Sequence, residues 1–211
     1  MSTTFFSRYH HRISYQVILL GTIGLLASTA LVIADLLTRE EIALRQAEDF
    51  RATLEQVLPP EIHDNQPQDE RHLLLLKDGS TLPIYRARLD GRVSGVAFQV
   101  RGRGYAGPIE ILMGVDASGQ LLGVRVLRHT ETPGLGDKIE VARDPWVLTF
   151  NGLSLGKPPL SAWAVKKDGG QFDQFTGATI TPRAVVQAVR DGLILFQNHQ
   201  ADMLQRAAEE D

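Results

Sequence analysis

The sequence predicts an α+β protein: a single N-terminal transmembrane helix, then an extracytoplasmic domain whose mainly antiparallel sheet is flanked by helices. Three observations carry this expectation. No charged residue lies between Arg12 and Asp35, so 13–34 forms one continuous, mainly apolar run. From Leu73 to Leu127 short apolar segments follow one another too closely for parallel crossovers, which need a dozen or more residues each. Beyond Thr181-Pro182, apolar residues recur at helical spacing.

The N-terminal helix comes first. At 1.5 Å per residue, the 13–34 run spans roughly 30 Å, the thickness of a bilayer's hydrocarbon core. Arg8 and Arg12, with His10 and His11, precede it, and Asp35 follows. The positive-inside rule then places 1–12 in the cytoplasm and the large C-terminal part outside. The alternative is a cleaved signal peptide ending near Ser28-Thr29-Ala30, but such peptides have an apolar core of about 7–15 residues. The longer run here reads as a single-pass anchor, and Gly24 with Ser28 offers a small-xxx-small face for another helix. Residues 35–60 continue as an amphipathic connecting helix. Ile42, Ala43, Gln46, Phe50, Leu54, Val57 and Leu58 lie near one stripe, and Pro59-Pro60 stops it. The folded domain is expected over 61–200, with a C-terminal tail over 201–211.

A chain of 211 residues suits one ordinary domain plus an extra element. Its net charge of −3 has no basic excess for nucleic acid. Cysteine is absent, which removes disulfides, thiolate zinc sites, iron–sulfur clusters and a cysteine nucleophile together. Any redox role therefore needs a bound cofactor.

Within the domain, Leu73–Leu76 and Leu82–Tyr85 read as strands joined by Lys77-Asp78-Gly79. Val93–Val100 is a further strand. Ile109–Val115 and Leu121–Leu127 form an antiparallel hairpin across Asp116–Gln120. Gly102-Arg103-Gly104-Tyr105-Ala106-Gly107 matches G-x-G-x-x-G, but a strand follows where a dinucleotide fold needs a helix. It reads instead as a flexible turn, or as backbone lying close to a flat ligand. His129-x-Glu131 lacks the cysteine ligands of a zinc deaminase, and no G-x-S-x-G nucleophile elbow occurs. No catalytic residue and no metal ligand is assigned. The loop His129–Lys138, turning at Pro133-Gly134, presents amides, a hydroxyl, a carboxylate and a cation suited to a ring or phosphate. Trp146–Phe150 and Trp163–Val165 are short apolar runs, and Lys166-Lys167 reads as a solvated turn that is also able to neutralise a phosphate.

The last patterned helix begins with Thr181 as N-cap and Pro182 at the first helical position. Thr179 then lies two residues ahead of the cap, where helix N–H groups and the macrodipole favour phosphate. Gly177 and Ala178 leave room beside it. Taken alone, these residues favour the plain reading of Thr176 and Thr179 as loop and capping hydroxyls.

A resemblance changes that balance. Asp173-Gln174-Phe175-Thr176-Gly177-Ala178-Thr179 resembles the D-x-x-[S/T]-G-A-T motif of covalent flavoproteins, in which a flavin transferase links FMN through its phosphate to the final threonine. His129–Gly136 resembles a segment beside the flavin in that family. With the single anchor, nearly the whole chain resembles the G subunits of Rnf/Rsx-type ion-translocating electron transport complexes. The C subunit of sodium-translocating NADH:quinone reductase shares anchor and flavinylated domain, but the Gly104–Pro108 turn and the wording of Glu131–Glu140 and Phe172–Pro182 are closer to the Rnf/Rsx form.

The resemblance implies an FMN-binding domain with covalent FMN on Thr179. Thr176, Gly177 and Ala178 would shape the attachment turn, and Glu131 and Thr132 would contact the ring or ribityl region. Asp173 would belong to what the transferase recognises. The implied partners are the other membrane subunits of the complex and the flavin transferase. The implied location is the bacterial inner membrane, with the N-terminus cytoplasmic and the domain periplasmic. Such a subunit carries electrons and is not expected to catalyse a reaction alone. The rival readings are a flavin-binding sensory module and a non-redox periplasmic interaction module with the motif unmodified.

Overall fold

The computed structural model describes residues 13–205. The basic residues Arg8 and Arg12, which set the expected orientation, and the 206–211 part of the tail lie outside the described residues. The first helix, α1, runs without interruption over Ile13–Val57. Contacts divide the chain into two compact units, one up to Asp49 and one from Phe50 onward.

In the first unit α1 is long and apolar enough to cross a membrane. Its large side chains, Leu20, Leu31 and Leu37 among them, are exposed. The hydroxyls of Thr22, Thr29 and Thr38 donate back to the carbonyls of Ile18, Leu25 and Ala34 at 2.8 Å, so these polar groups need no outside partner. The charged stretch that follows is laced by close pairs, Asp35 with Arg39 at 2.5 Å and Arg45 with Glu48 at 3.1 Å, as expected of a solvated helix face.

The second unit is built on a five-stranded sheet in which every neighbouring pair is antiparallel and spatial order follows chain order. Its strands are β1 (Arg71–Leu75), β2 (Thr81–Leu89), β3 (Arg92–Arg103), β4 (Pro108–Asp116) and β5 (Leu121–Arg128). Each expected strand is present, with β2 and β3 longer than their apolar pattern indicated. The two meet in a tight turn at Asp90-Gly91, both with positive φ (51° and 73°), the geometry that matches strand twist. Charged residues hide this half of β2 from the pattern. Arg86 is buried because its guanidinium donates to the carbonyls of Asp202 and Met203, both at 2.9 Å, and Arg88 pairs with Glu70 at 2.5 Å.

One face of the sheet carries Val96, Phe98, Ile109, Ile111, Met113 and Val124 against α2 (Ile180–Asn198), which buries Val185, Val189, Leu193 and Phe196. The short α3 (Gln200–Leu204) follows and is the element held by Arg86. The other face, at Ala87, Ala97 and Leu112, is covered by Leu54, Val57 and Leu58 from the end of α1. Gly114 permits that approach, since a Cβ there would collide with the carbonyl oxygen of Val57. The sheet therefore has a helix on each face, and the one that packs against it after β5 is the helix that Thr179 precedes.

Candidate functional site

α2 begins two residues earlier than its sequence predicted. Ile180 is its first residue and Thr179 occupies the N-cap position, without a side-chain cap hydrogen bond. The expectation that Thr181 caps the helix is therefore corrected. Thr181 lies inside the first turn, is buried, and its hydroxyl donates to Oε2 of Glu131. A buried carboxylate outcompetes the local backbone for that hydroxyl. Pro182 is still accommodated, because a first-turn residue has no intrahelical acceptor for an N–H. Thr179 thus stands at the helix terminus itself, where the first-turn N–H groups point outward.

The approach to Thr179 is fixed from below. Phe172 and Phe175 are buried, with Phe172 stacked on Phe150 at 4.7 Å and Phe175 set edge-on to Trp146 at 5.2 Å. Trp146 lies in a 3₁₀ helix, Pro145–Phe150, whose start is capped by the Asp144 side chain. Phe175 and Ala178 then form a bridge across a tight turn, closed by the Ala178 N–H donating to the Phe175 carbonyl at 3.1 Å. Gly177 takes φ +82° in that turn, a conformation that disfavours a side chain. Lys166 pairs with Asp173 at 2.5 Å, and Asp168 with Arg183 in a two-pronged contact at 2.6 and 2.9 Å. The Lys166–Asp173 and Asp168–Arg183 pairs therefore brace the loop.

Glu131 is one of the few charged residues in the interior. Oε1 accepts from the Ala106 N–H at 2.9 Å, and Oε2 accepts from the Tyr105 N–H at 3.2 Å as well as from Thr181. Burial pushes its carboxyl up, but the bonds from Thr181, Ala106 and Tyr105 and the nearby His129 outweigh this and hold it below the usual carboxylate range. The Glu131 N–H donates to Nδ1 of His129 at 3.0 Å, which leaves the His129 Nε2–H to donate to Glu140 at 2.6 Å.

These pieces enclose a cleft of about 420 Å³. Thr179, Gly177 and Ala178 form one side, with Ile180 and Thr181 of the first helical turn. Glu131, Thr132, Leu135 and Gly136 form the loop side, and Tyr105 closes the end from the β3–β4 turn. Five of the six residues named from sequence line this cleft. Thr176 does not; it is exposed. Sequence reasoning missed Tyr105, Ile180 and Thr181 as wall residues, and placed Leu135 and Gly136 near the ligand only as part of the His129–Gly136 segment. For Tyr105 a signal existed, because one of the two readings of the glycine-rich turn that contains it was backbone beside a flat ligand.

The cleft is large enough for a nucleotide-sized ligand, within the range of about 300–1,000 Å³ typical of such sites. Its combination of a free hydroxyl at a helix terminus with aromatic and aliphatic walls suits a phosphate joined to a flat ring. Comparison with known proteins bears on this directly. The FMN-binding domain family matches residues 104–194, which contain every cleft residue. The chain is 49% identical over 187 residues to the G subunit of the ion-translocating oxidoreductase complex of Cereibacter sphaeroides, covering 89% of this chain and 85% of that one. It is 47% identical over 193 residues to the corresponding G subunit of Stutzerimonas stutzeri, covering 92% and 84%.

The chain belongs to the family of G subunits of ion-translocating oxidoreductase complexes.

The G-subunit domain also has a structural counterpart. The crystal structure of the C subunit of sodium-translocating NADH-quinone reductase from Parabacteroides distasonis superposes with a TM-score of 0.51 at 21% identity, covering 74% of this chain and 94% of that one. That likeness concerns the fold. The FMN-binding domain agrees with the cleft in pointing to FMN as the ligand.

Proposed function

We propose that this G subunit is a membrane-anchored electron carrier, with FMN held as a phosphoester on Thr179, within a complex that couples electron transfer to ion movement. The observation that carries the reading is the position of Thr179, an uncapped hydroxyl at the N-terminus of α2 that opens into the cleft. FMN fits this site on three counts. The helix terminus suits its phosphate, Gly177 and Ala178 leave space for the ester, and Tyr105 and Leu135 offer apolar surface to its ring. Thr176 shapes the turn, and Thr132 and Glu131 line the cleft. When bound, FMN supplies one- and two-electron redox chemistry that these side chains lack. The polypeptide's part is to hold and orient it and to keep it from diffusing away.

The same reading assigns 13–34 to the membrane and 35–60 to a connecting helix, with 1–12 in the cytoplasm of a bacterial inner-membrane protein. The FMN-binding domain, 61–200, and the 201–211 tail lie in the periplasm, where a flavin transferase matures Thr179. The other members of the complex, which the relatives' names describe as an ion-translocating oxidoreductase, are its electron partners.

Intact mass after coexpression with a flavin transferase tests the attachment. The wild type gains one FMN, and Thr179→Ala gains none; an unmodified wild type overturns the reading. A reporter fused after Asp211 tests orientation, and activity on the cytoplasmic side reverses it.

A further inference from the structure

Three segments distant in the chain converge on Glu131. They are the β3–β4 turn at Tyr105-Ala106, the loop that carries Glu131, and the first turn of α2 at Thr181, fifty positions further along. Their packing has little slack. A Cβ added to Gly104 would stand 2.5 Å from Oε1 of Glu131, and one added to Gly136 would stand 2.8 Å from its Cβ and 3.0 Å from the Thr181 hydroxyl. The turn contributes one internal main-chain bond near its tip, from the Gly104 N–H to the Gly107 carbonyl at 2.9 Å. Its Tyr105 and Ala106 amides rely on the carboxylate. The base of Glu131 is fixed in turn through its own N–H to His129, which is held by Glu140. Both carboxylate oxygens are thus committed to protein donors, although the residue lines the cleft.

We infer that Glu131 is a positioning residue for the flavin attachment site, tying the β3–β4 turn to the start of α2 so that Tyr105 and Thr179 are held across one cleft. This rests on the assignment of Thr179 as the FMN acceptor. Glu131 acts through other groups: it sets where the Thr179 hydroxyl stands, through Thr181 in the adjoining turn, and where the Tyr105 ring stands, through that residue's own amide. Attachment depends on placing one hydroxyl oxygen, and a displacement of about 1 Å in such a reaction costs on the order of a hundredfold.

The test compares Glu131→Ala, Glu131→Gln and Thr181→Val with wild type in the full chain, coexpressed with the transferase. Incorporation of FMN is followed over time by intact mass, folding by circular dichroism, and flavin mobility by fluorescence anisotropy. Folded Glu131→Ala should incorporate FMN roughly tenfold or more slowly, within the range that misplacement produces, and its flavin should show lower anisotropy. Thr181→Val, which keeps the shape and deletes the donor, should move both readouts the same way. Glu131→Gln retains an acceptor for only one of the two amides and should recover part of the rate. Wild-type rate and anisotropy in folded Glu131→Ala and Thr181→Val overturn the inference. If Glu131→Ala fails to fold, Thr181→Val decides alone. A wild type that gains no FMN instead overturns the assignment of Thr179, which is a separate outcome.

Discussion

The indole N–H of Trp146 donates to the main-chain carbonyl of Asp173 at 2.8 Å, so the segment leading to Thr179 is fastened by a ring from a separate 3₁₀ helix. The bond joins the aromatic cluster under the turn to Asp173, the first residue of the proposed acceptor motif. It sets the height at which the turn leaves the core.

Trp146→Phe preserves an aromatic ring and removes this donor. The Asp173 carbonyl then loses its partner at a partly buried position, at a cost of about 1–3 kcal/mol. For a domain of this size that lowers the melting temperature by about 2–4 °C per kcal/mol. Calorimetry checks the stability, and intact mass checks an accompanying drop in FMN incorporation.

Gly177 and Gly79 share nearly the same backbone conformation, φ +82° and +83°, in different places. Replacing either with alanine should cost about 1–2 kcal/mol from left-handed backbone strain. Gly177→Ala should also reduce FMN incorporation, because that turn carries Thr179. Gly79→Ala should leave incorporation unchanged, since it lies in the β1–β2 turn, away from the cleft. Equal incorporation in both variants would show that the Gly177 turn is not part of the acceptor geometry.

Acid should weaken the domain through Glu131. Burial raises its carboxyl, but the Thr181, Ala106 and Tyr105 bonds and His129 bring it below the ordinary range, so the folded state favours the ionised form more than the unfolded state does. The unfolded chain then binds the proton more readily, and stability rises with pH through this region. The contribution is complete above the unfolded carboxylate value, about 4.3, and is lost as pH falls through the lower folded value. Melting temperatures from pH 7 down to pH 3 should fall more steeply for wild type than for Glu131→Gln.

Tyr105 should contact the flavin ring. The residue is 72% exposed while its amide is fixed on Glu131, the arrangement of a rigidly mounted ring with one open face. Tyr105→Leu should leave the covalent mass increment intact and raise flavin fluorescence, because an electron-rich ring close to the flavin is removed. Unchanged fluorescence would place the ring elsewhere in the cleft.

The parts of this molecule that were legible in sequence are those governed by short-range pattern. β3 and β4 run largely apolar because α2 covers one of their faces and the end of α1 the other, and α2 itself repeats its buried positions every three or four residues. The far half of β2 was hidden because Arg86 is buried through carbonyls more than a hundred residues away, which no local window contains. Thr181 has the same explanation. A threonine before proline is a good cap by local rules, and its actual partner, Glu131, is brought near only by the tertiary fold. Tyr105 was visible only as part of a glycine-rich turn. Its place at the cleft follows from the register that sets Arg103 opposite Pro108.

Spatial order in the sheet repeats chain order from β1 to β5, so every strand pairing joins neighbours in the chain. Loop closure for such pairings is entropically cheap and fast, whereas contacts across long stretches of chain form slowly. The cleft needs the long-range kind, because Glu131 must meet Thr181 and Trp146 must meet Asp173. The sheet can therefore pair strand by strand while Thr179 still lacks its surroundings. The surroundings of Thr179 should form later than the strand pairings, and an enzyme that modified Thr179 only in that finished setting would distinguish a completed domain from one still assembling.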